Sequence, residues 1–158
     1  MSFYFNPYSL CDCSASRCAC TSVHSFLDNY KNILSLFNPK KIFEWGPGKS
    51  TQVALAHGAR IVSVESRLEW FNKIPRHPNL ELRFILSEDS RYSMIDIDSD
   101  MFFIDADNRE NCLESVFNLA KPNTIVCLHD AQRKRYQQAL RKYSVVYYLS
   151  RGFSLAFK

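Results

Sequence analysis

The sequence predicts an α/β protein with a mostly parallel sheet that closes in a hairpin, and three observations carry that prediction. Short apolar runs alternate with stretches of helical periodicity from about residue 40 onward. Lys40 to Thr51, KKIFEWGPGKST, reads as strand, glycine turn and helix start. The last two apolar runs, Val145–Leu149 and Phe153–Phe157, are joined at Arg151-Gly152, the spacing of a hairpin.

The glycine turn organises the rest. Ile42 and Phe43 lead into Glu44, the chain bends through Gly46-Pro47-Gly48, and Lys49, Ser50 and Thr51 open a helix. A helix N-terminus carries unpaired N–H groups, and glycines let a ligand approach that backbone. A phosphate-cradling loop needs a glycine where Phe43 stands, and a dinucleotide fingerprint needs a third glycine where Thr51 stands. What remains is an acidic strand end followed by Gly-x-Gly, or an ordinary strand-to-helix turn with no ligand. The second strand, Arg60–Glu65, ends in a carboxylate about twenty residues after the first, where a Rossmann-type unit places its ribose-binding acid.

EWGPGKS followed by VSVES resembles the first two motifs of class I S-adenosylmethionine-dependent methyltransferases. FFIDADN and VCLHDA are similar to the fourth and fifth strand ends of the small-molecule O-methyltransferase branch, and the resemblance spans Lys40 to Lys158. It implies a three-layer Rossmann-like fold, α/β, with seven strands ordered 3-2-1-4-5-7-6 and an antiparallel strand in the C-terminal hairpin. It also implies S-adenosylmethionine as cofactor, with Glu44, Gly46, Gly48 and Ser50 at the turn, Glu65 and Ser66 at the ribose, Asp89 near the adenine amino group, and Asp105 on the same rim.

The remaining elements follow in order. Thr21–Phe37 carries Val23, Phe26, Leu27, Tyr30, Ile33, Leu34 and Phe37 at helical spacing and stops at Asn38-Pro39. Gly58 caps the helix after the glycine turn, and Arg67–Ile74 forms a short helix closed by Pro75 and Pro78. Leu80, Leu82 and Phe84 alternate with Glu81 and Arg83, the pattern of a half-solvated or edge strand. Asp100–Asp105 is apolar enough for a central strand; a helix with Leu113, Val116, Phe117 and Ala120 follows until Pro122. Thr124–Leu128 is a fifth strand ending in His129-Asp130, and Gln132–Tyr143 is a helix with Arg133, Lys134, Arg135, Arg141, Lys142 and no acid.

Methyl transfer from a sulfonium demands positioning and exclusion of water, together with removal of the acceptor's proton. His129 can serve as that base, oriented by Asp130 or Asp105. Alternatively Asp105 and Asp130 could hold Mg²⁺ or Ca²⁺, since hard ions take oxygen ligands. The metal-dependent catechol-type and caffeoyl-coenzyme A-type enzymes carry Asp-Asn where this chain has Asp130-Ala131, which removes one ligand. A strand-end histidine that merely bonds a neighbour is the plainer alternative for His129.

Upstream lies an aromatic, cysteine-rich arm, residues 1–20, expected to belong to the same domain as 21–158. Its Cys11, Cys13, Cys18 and Cys20 could close a zinc or iron site, serve as structural thiols, or act in redox chemistry. With 158 residues, 46% apolar and 23% charged, the chain fits one globular domain and excludes disorder. No apolar run is long enough for a membrane span and no signal pattern opens the sequence, so a cytoplasmic location is expected. A net charge of +4 permits an anionic partner without demanding one. The expected function is methyl transfer to a small-molecule acceptor, with a non-catalytic nucleotide- or partner-binding module and an RNA-directed methyltransferase as alternatives.

Overall fold

A computed structural model describes residues 23–150 and 152–158, with side chains from residue 26 onward. The arm and its four cysteines lie outside the described residues. Helix α1 (Val23–Phe37) ends where Asn38 turns left-handed, φ 47°, with its N–H on Leu34 O at 2.8 Å. Asparagine tolerates that region better than other side-chain-bearing residues.

Strands and helices then alternate: β1 (Lys41–Trp45), α2 (Lys49–Ala56), β2 (Arg60–Glu65), α3 (Leu68–Lys73), β3 (Leu80–Phe84), a 3-10 turn over Ser90–Ser93, β4 (Met101–Ile104), α4 (Arg109–Leu119), β5 (Ile125–His129), α5 (Lys134–Leu140), β6 (Val145–Ser150) and β7 (Phe153–Phe157). The seven strands form one sheet in the order β3-β2-β1-β4-β5-β7-β6, parallel except that β7 runs antiparallel to both its neighbours. That is the order and the antiparallel exception which the methyltransferase resemblance implies.

Each face of the sheet has its own core. Phe43, Trp45, Phe102, Ile104 and Leu128 pack with Leu113 and Val116 of α4 and Tyr136 and Leu140 of α5. Ile42, Ile61, Met101, Phe103 and Cys127 pack with Tyr30 and Leu34 of α1 and Ala54 of α2. Burial on both faces explains why the central strands read as unbroken apolar runs. Truncating Phe102, which is fully buried, to alanine is expected to cost about 3–5 kcal/mol.

The edges differ from the centre. On β3, Glu81 and Arg83 pair at 2.6 Å on an alternating strand, so the edge indicated by its pattern is where it lies. The basic helix is shorter than its sequence suggests: Gln132 belongs to a turn opened by Asp130, which adopts φ 58°. Nor are its cations unopposed. Arg133 pairs with Asp130, Arg135 with Glu110 and Lys142 with Glu114, acids supplied by the neighbouring strand end and α4.

Strand order reverses at β1, which has β2 on one side and β4 on the other. Connections leave in opposite directions there, opening a crevice outside the carboxyl ends of the strands.

Candidate active site

A cleft of about 290 Å³ occupies that crevice, lined by Gly46 and Pro47 after β1, Glu65, Ser66, Arg67 and Trp70 after β2, Tyr92 of the 3-10 turn, and Asp105, Ala106, Asp107 and Arg109 after β4. A larger hollow of about 580 Å³ lies between α1 and α2, but no carboxylate lines it.

Gly46 is held by the sheet itself. It adopts φ 82°, its N–H bonds Val64 O at 3.0 Å, and a Cβ there would stand 2.0 Å from the carbonyl oxygen of Asp105. Its glycine is thus required for β1 and β4 to approach, a cause distinct from ligand access. Gly48 is the opposite case: a Cβ would meet nothing within 4 Å, and the backbone is extended. It caps α2 just beyond the cleft lining, leaving open space at the helix start.

Glu44 points away from the cleft into a cage of hydroxyls. Ser50 Oγ donates to its Oε1 at 2.6 Å, while Thr51 Oγ1 and Ser63 Oγ donate to Oε2 at 2.7 and 2.9 Å. Burial raises its pKa to about 7, against the three hydroxyl bonds, which favour the ionised form. The structure therefore places Glu44 and Ser50 against each other, tying β1, α2 and β2 together beneath the turn.

Glu65 does face the cleft. Its Oε1 accepts the backbone N–H groups of Ser66 and Arg67, both at 2.8 Å, which fixes the carboxylate. Among the described residues no hydrogen bond reaches Oε2, and that oxygen is available to a ligand. Asp89 is turned elsewhere: it caps the 3-10 turn through Arg91 N at 2.8 Å and chelates the Arg91 guanidinium. Those bonds lower its pKa to about 2. Both its oxygens are committed, and it does not line the cleft.

The third group gathers at the ends of β4 and β5. His129 Nδ1 lies 3.0 Å from Asp105 Oδ1, within ion-pair distance but off the angle for a hydrogen bond, so this buried nitrogen has no hydrogen-bond partner among the described residues. The imidazole packs on the Phe26 ring at 4.4 Å between centroids. Between Asp105 and Asp130 sits Arg109, whose Nη2 meets Asp105 Oδ1 at 2.7 Å and whose Nη1 meets Asp130 Oδ2 at 3.0 Å. Burial works to raise the Asp130 pKa, but Arg109, His129 and Arg133 outweigh it and hold the carboxyl below its usual range.

Sequence reasoning brings Glu65, Ser66, Gly46 and Asp105 to one cleft, and His129 and Asp130 to its β5 side. It misses Arg109, Trp70, Tyr92, Arg67 and Asp107. A signal existed for Arg109, a single cation at the first helical position directly after the acidic DADN. Tyr92 is brought in from a loop whose course depends on the bond from buried Trp45 Nε1 to its carbonyl at 2.7 Å, which no local pattern announces. Arg67 and Asp107 form an exposed ion pair at 2.9 Å across the cleft. Among the described residues no group of three or more histidine, cysteine, aspartate or glutamate side chains is placed to hold a metal ion. No helix among them is long and apolar enough to cross a membrane.

No protein-family model matches the sequence, and no curated protein matches it either. Solved structures do. A methyltransferase-like protein from Silicibacter pomeroyi DSS-3 is similar over 87% of each chain at 16% identity and a TM-score of 0.68. An O-methyltransferase from Bacillus cereus, solved with SAH, is similar over 89% of this chain and 83% of its own, at 19% identity and a TM-score of 0.65. An RNA methyltransferase from Salinibacter ruber, in complex with S-adenosyl-L-homocysteine, is similar over 82% and 88% at 16% identity and a TM-score of 0.54. The chain thus has the Rossmann-like fold of these methyltransferases; at such identities the likeness speaks for the fold.

Proposed function

We propose that this protein is an S-adenosylmethionine-dependent methyltransferase acting on a small-molecule acceptor, at a hydroxyl. One observation carries the proposal: a cleft at the switch point with Glu65 fixed by two backbone N–H groups and one carboxylate oxygen left for a ligand. A ribose diol is a pair of donors suited to that oxygen. Gly46 lines the cleft, the open space at Gly48 gives the methionine part access to the turn, Ser66 stands beside the ribose, and half-exposed Trp70 offers a flat apolar surface to a base.

The cofactor supplies an electrophilic methyl group. The chain's residues supply position and proton removal. Asp105 lines the cleft and also stands beside His129, linking the donor's position to that of the base. With Nδ1 turned to Asp105, Nε2 is the nitrogen that takes the acceptor's proton, and Phe26 fixes the ring plane. The acceptor then lies on the β5 side, towards α1. An RNA acceptor draws less support, because three of the five cations that suggested it are paired with acids.

Calorimetric titration with S-adenosylhomocysteine tests the proposal. The wild-type protein is expected to bind at micromolar concentrations and Glu65→Ala to bind at least tenfold more weakly, as loss of a charge-assisted hydrogen bond costs about 1.5–3 kcal/mol. Absence of binding to the wild type overturns the assignment. Binding without turnover in a screen of hydroxyl acceptors, unaltered by His129→Ala, favours the non-catalytic module.

A further inference from the structure

Asp105 and Asp130 are the carboxylates that the sequence offers to a divalent ion, and the structure gives their shared space to a side chain. The guanidinium of Arg109 lies between them, and its other donors hold the strand ends that carry them: Nε bonds Ala106 O and Nη1 bonds His129 O, both at 2.8 Å. One planar cation thereby takes two carboxylates and two carbonyls, the oxygen donors that a hard ion would need.

Four further facts bear on this site. The Arg109 side chain is only 10% exposed, and its guanidinium lies 5.6 Å from the centre of the Tyr136 ring. Arg133 Nη2 also meets Asp130 Oδ2, at 2.5 Å. Ala131, fully buried, supplies a methyl group at the position next to Asp130. A guanidinium does not deprotonate in a protein, so an ion entering here faces a fixed positive charge at coordination distance. The residues present therefore do not fit a divalent ion.

We propose that Arg109 is a built-in substitute for a divalent cation: it neutralises and orients the β4 and β5 carboxylates, positions Asp105 and the His129 backbone, and conceals a latent divalent site that its removal opens. Arg109 is a positioning residue, acting on the base through Asp105 and the His129 carbonyl. Its role in turnover rests on the methyltransferase reading; its exclusion of metal does not.

The test is metal binding and thermal stability of the full chain with Mn²⁺, an oxygen-seeking ion poorly suited to the cysteines of the arm. Melting of the wild type is expected to be unmoved by millimolar Mn²⁺. Arg109→Ala leaves two partly buried carboxylates without their shared cation, so its melting temperature falls; Mn²⁺ restores it by several degrees, and calorimetry detects one Mn²⁺ that Asp105→Asn in the same background abolishes. Arg109→Lys retains a charge without the fork and is destabilised with no rescue by Mn²⁺. Stoichiometric Mn²⁺ binding by the wild type that Asp130→Asn removes overturns the proposal, as does a folded Arg109→Ala or Arg109→Gln that ignores Mn²⁺. If neither variant folds, stoichiometric Mn²⁺ binding by the wild type, or Mn²⁺ rescue of Arg109→Lys, still overturns the proposal. S-adenosylhomocysteine titrated into the same samples separates this outcome from failure of the cofactor assignment.

Discussion

Ser63 Oγ donates to Glu44 Oε2 at 2.9 Å across the β1–β2 ladder, where the two residues are direct register partners. A carboxyl at the carboxyl end of a central strand is thereby used as a structural clasp. Burial and the hydroxyl donors oppose each other, and burial prevails, raising the group from 4.5 to about 7. Between those pH values the unfolded chain releases this proton while the folded chain keeps it. Stability accordingly falls as pH rises through the window and levels above it, by at most about 3 kcal/mol from this group. Glu44→Gln removes the titration. Denaturant unfolding of both proteins at several pH values should give a variant that gains on wild type from pH 4 to pH 8; parallel curves exclude a raised Glu44.

The two glycines of the turn separate stability from binding. A Cβ on Gly46 collides with the Asp105 carbonyl at 2.0 Å and sits at φ 82°, so Gly46→Ala should cost roughly 3 kcal/mol or more, or fail to fold. Gly48 meets no neighbour, and Gly48→Ala should stay within about 1 kcal/mol of wild type. Its added methyl stands in the open space at the start of α2, and should weaken S-adenosylhomocysteine binding by about tenfold. Equal losses of stability in the two variants contradict the steric distinction; undiminished binding in Gly48→Ala removes Gly48 from the cofactor site.

The contrast between these glycines shows what the sequence discloses and what it withholds. The alternation of strands and helices and the edge position of β3 are legible in local patterns, whereas the sheet order, and with it the gathering of Glu65 and Asp105 at one cleft, is legible through the resemblance of the strand ends to a known family. The occupants of each side chain's hydrogen bonds do not follow. Ser50 looks like a helix-start residue facing a ligand, yet its hydroxyl, like that of Thr51, turns onto Glu44. Asp89 looks like a cofactor contact and is claimed by Arg91, two residues away. The partners of Arg109 do not follow either, and for the same reason: they come from the ends of β4 and β5, segments about twenty residues apart in sequence, and only the fold brings them around one guanidinium.

Burial also makes a prediction about the two cysteines of the core. Cys112 on α4 and Cys127 on β5 are both fully buried, and desolvation pushes the Cys112 thiol up to about 12 and Cys127 higher still. The thiolate is the reactive form, so neither should be alkylated by iodoacetamide at pH 8 while the chain is folded. Peptide mapping after labelling should find both modified only in denaturant; rapid labelling of Cys127 in the native protein contradicts its place in the sheet.

His129 and Asp105 should divide their effects between turnover and binding in a way that a structural role cannot imitate. His129 lies outside the cleft lining, so His129→Ala should leave S-adenosylhomocysteine affinity nearly unchanged while lowering kcat by about 10²–10⁴-fold, the usual contribution of a general base. Asp105 lines the cleft, touches the imidazole and receives Arg109, so Asp105→Asn should lower both kcat and cofactor affinity. Moving to a more acidic acceptor hydroxyl should restore much of the rate to His129→Ala, since such an acceptor needs less help in losing its proton, but little to Asp105→Asn, whose cofactor affinity is impaired as well. Rates for a series of acceptors of graded acidity check this. A slope against acceptor acidity that is the same in wild type and His129→Ala removes His129 as the base and leaves it a strand-end histidine packed on Phe26.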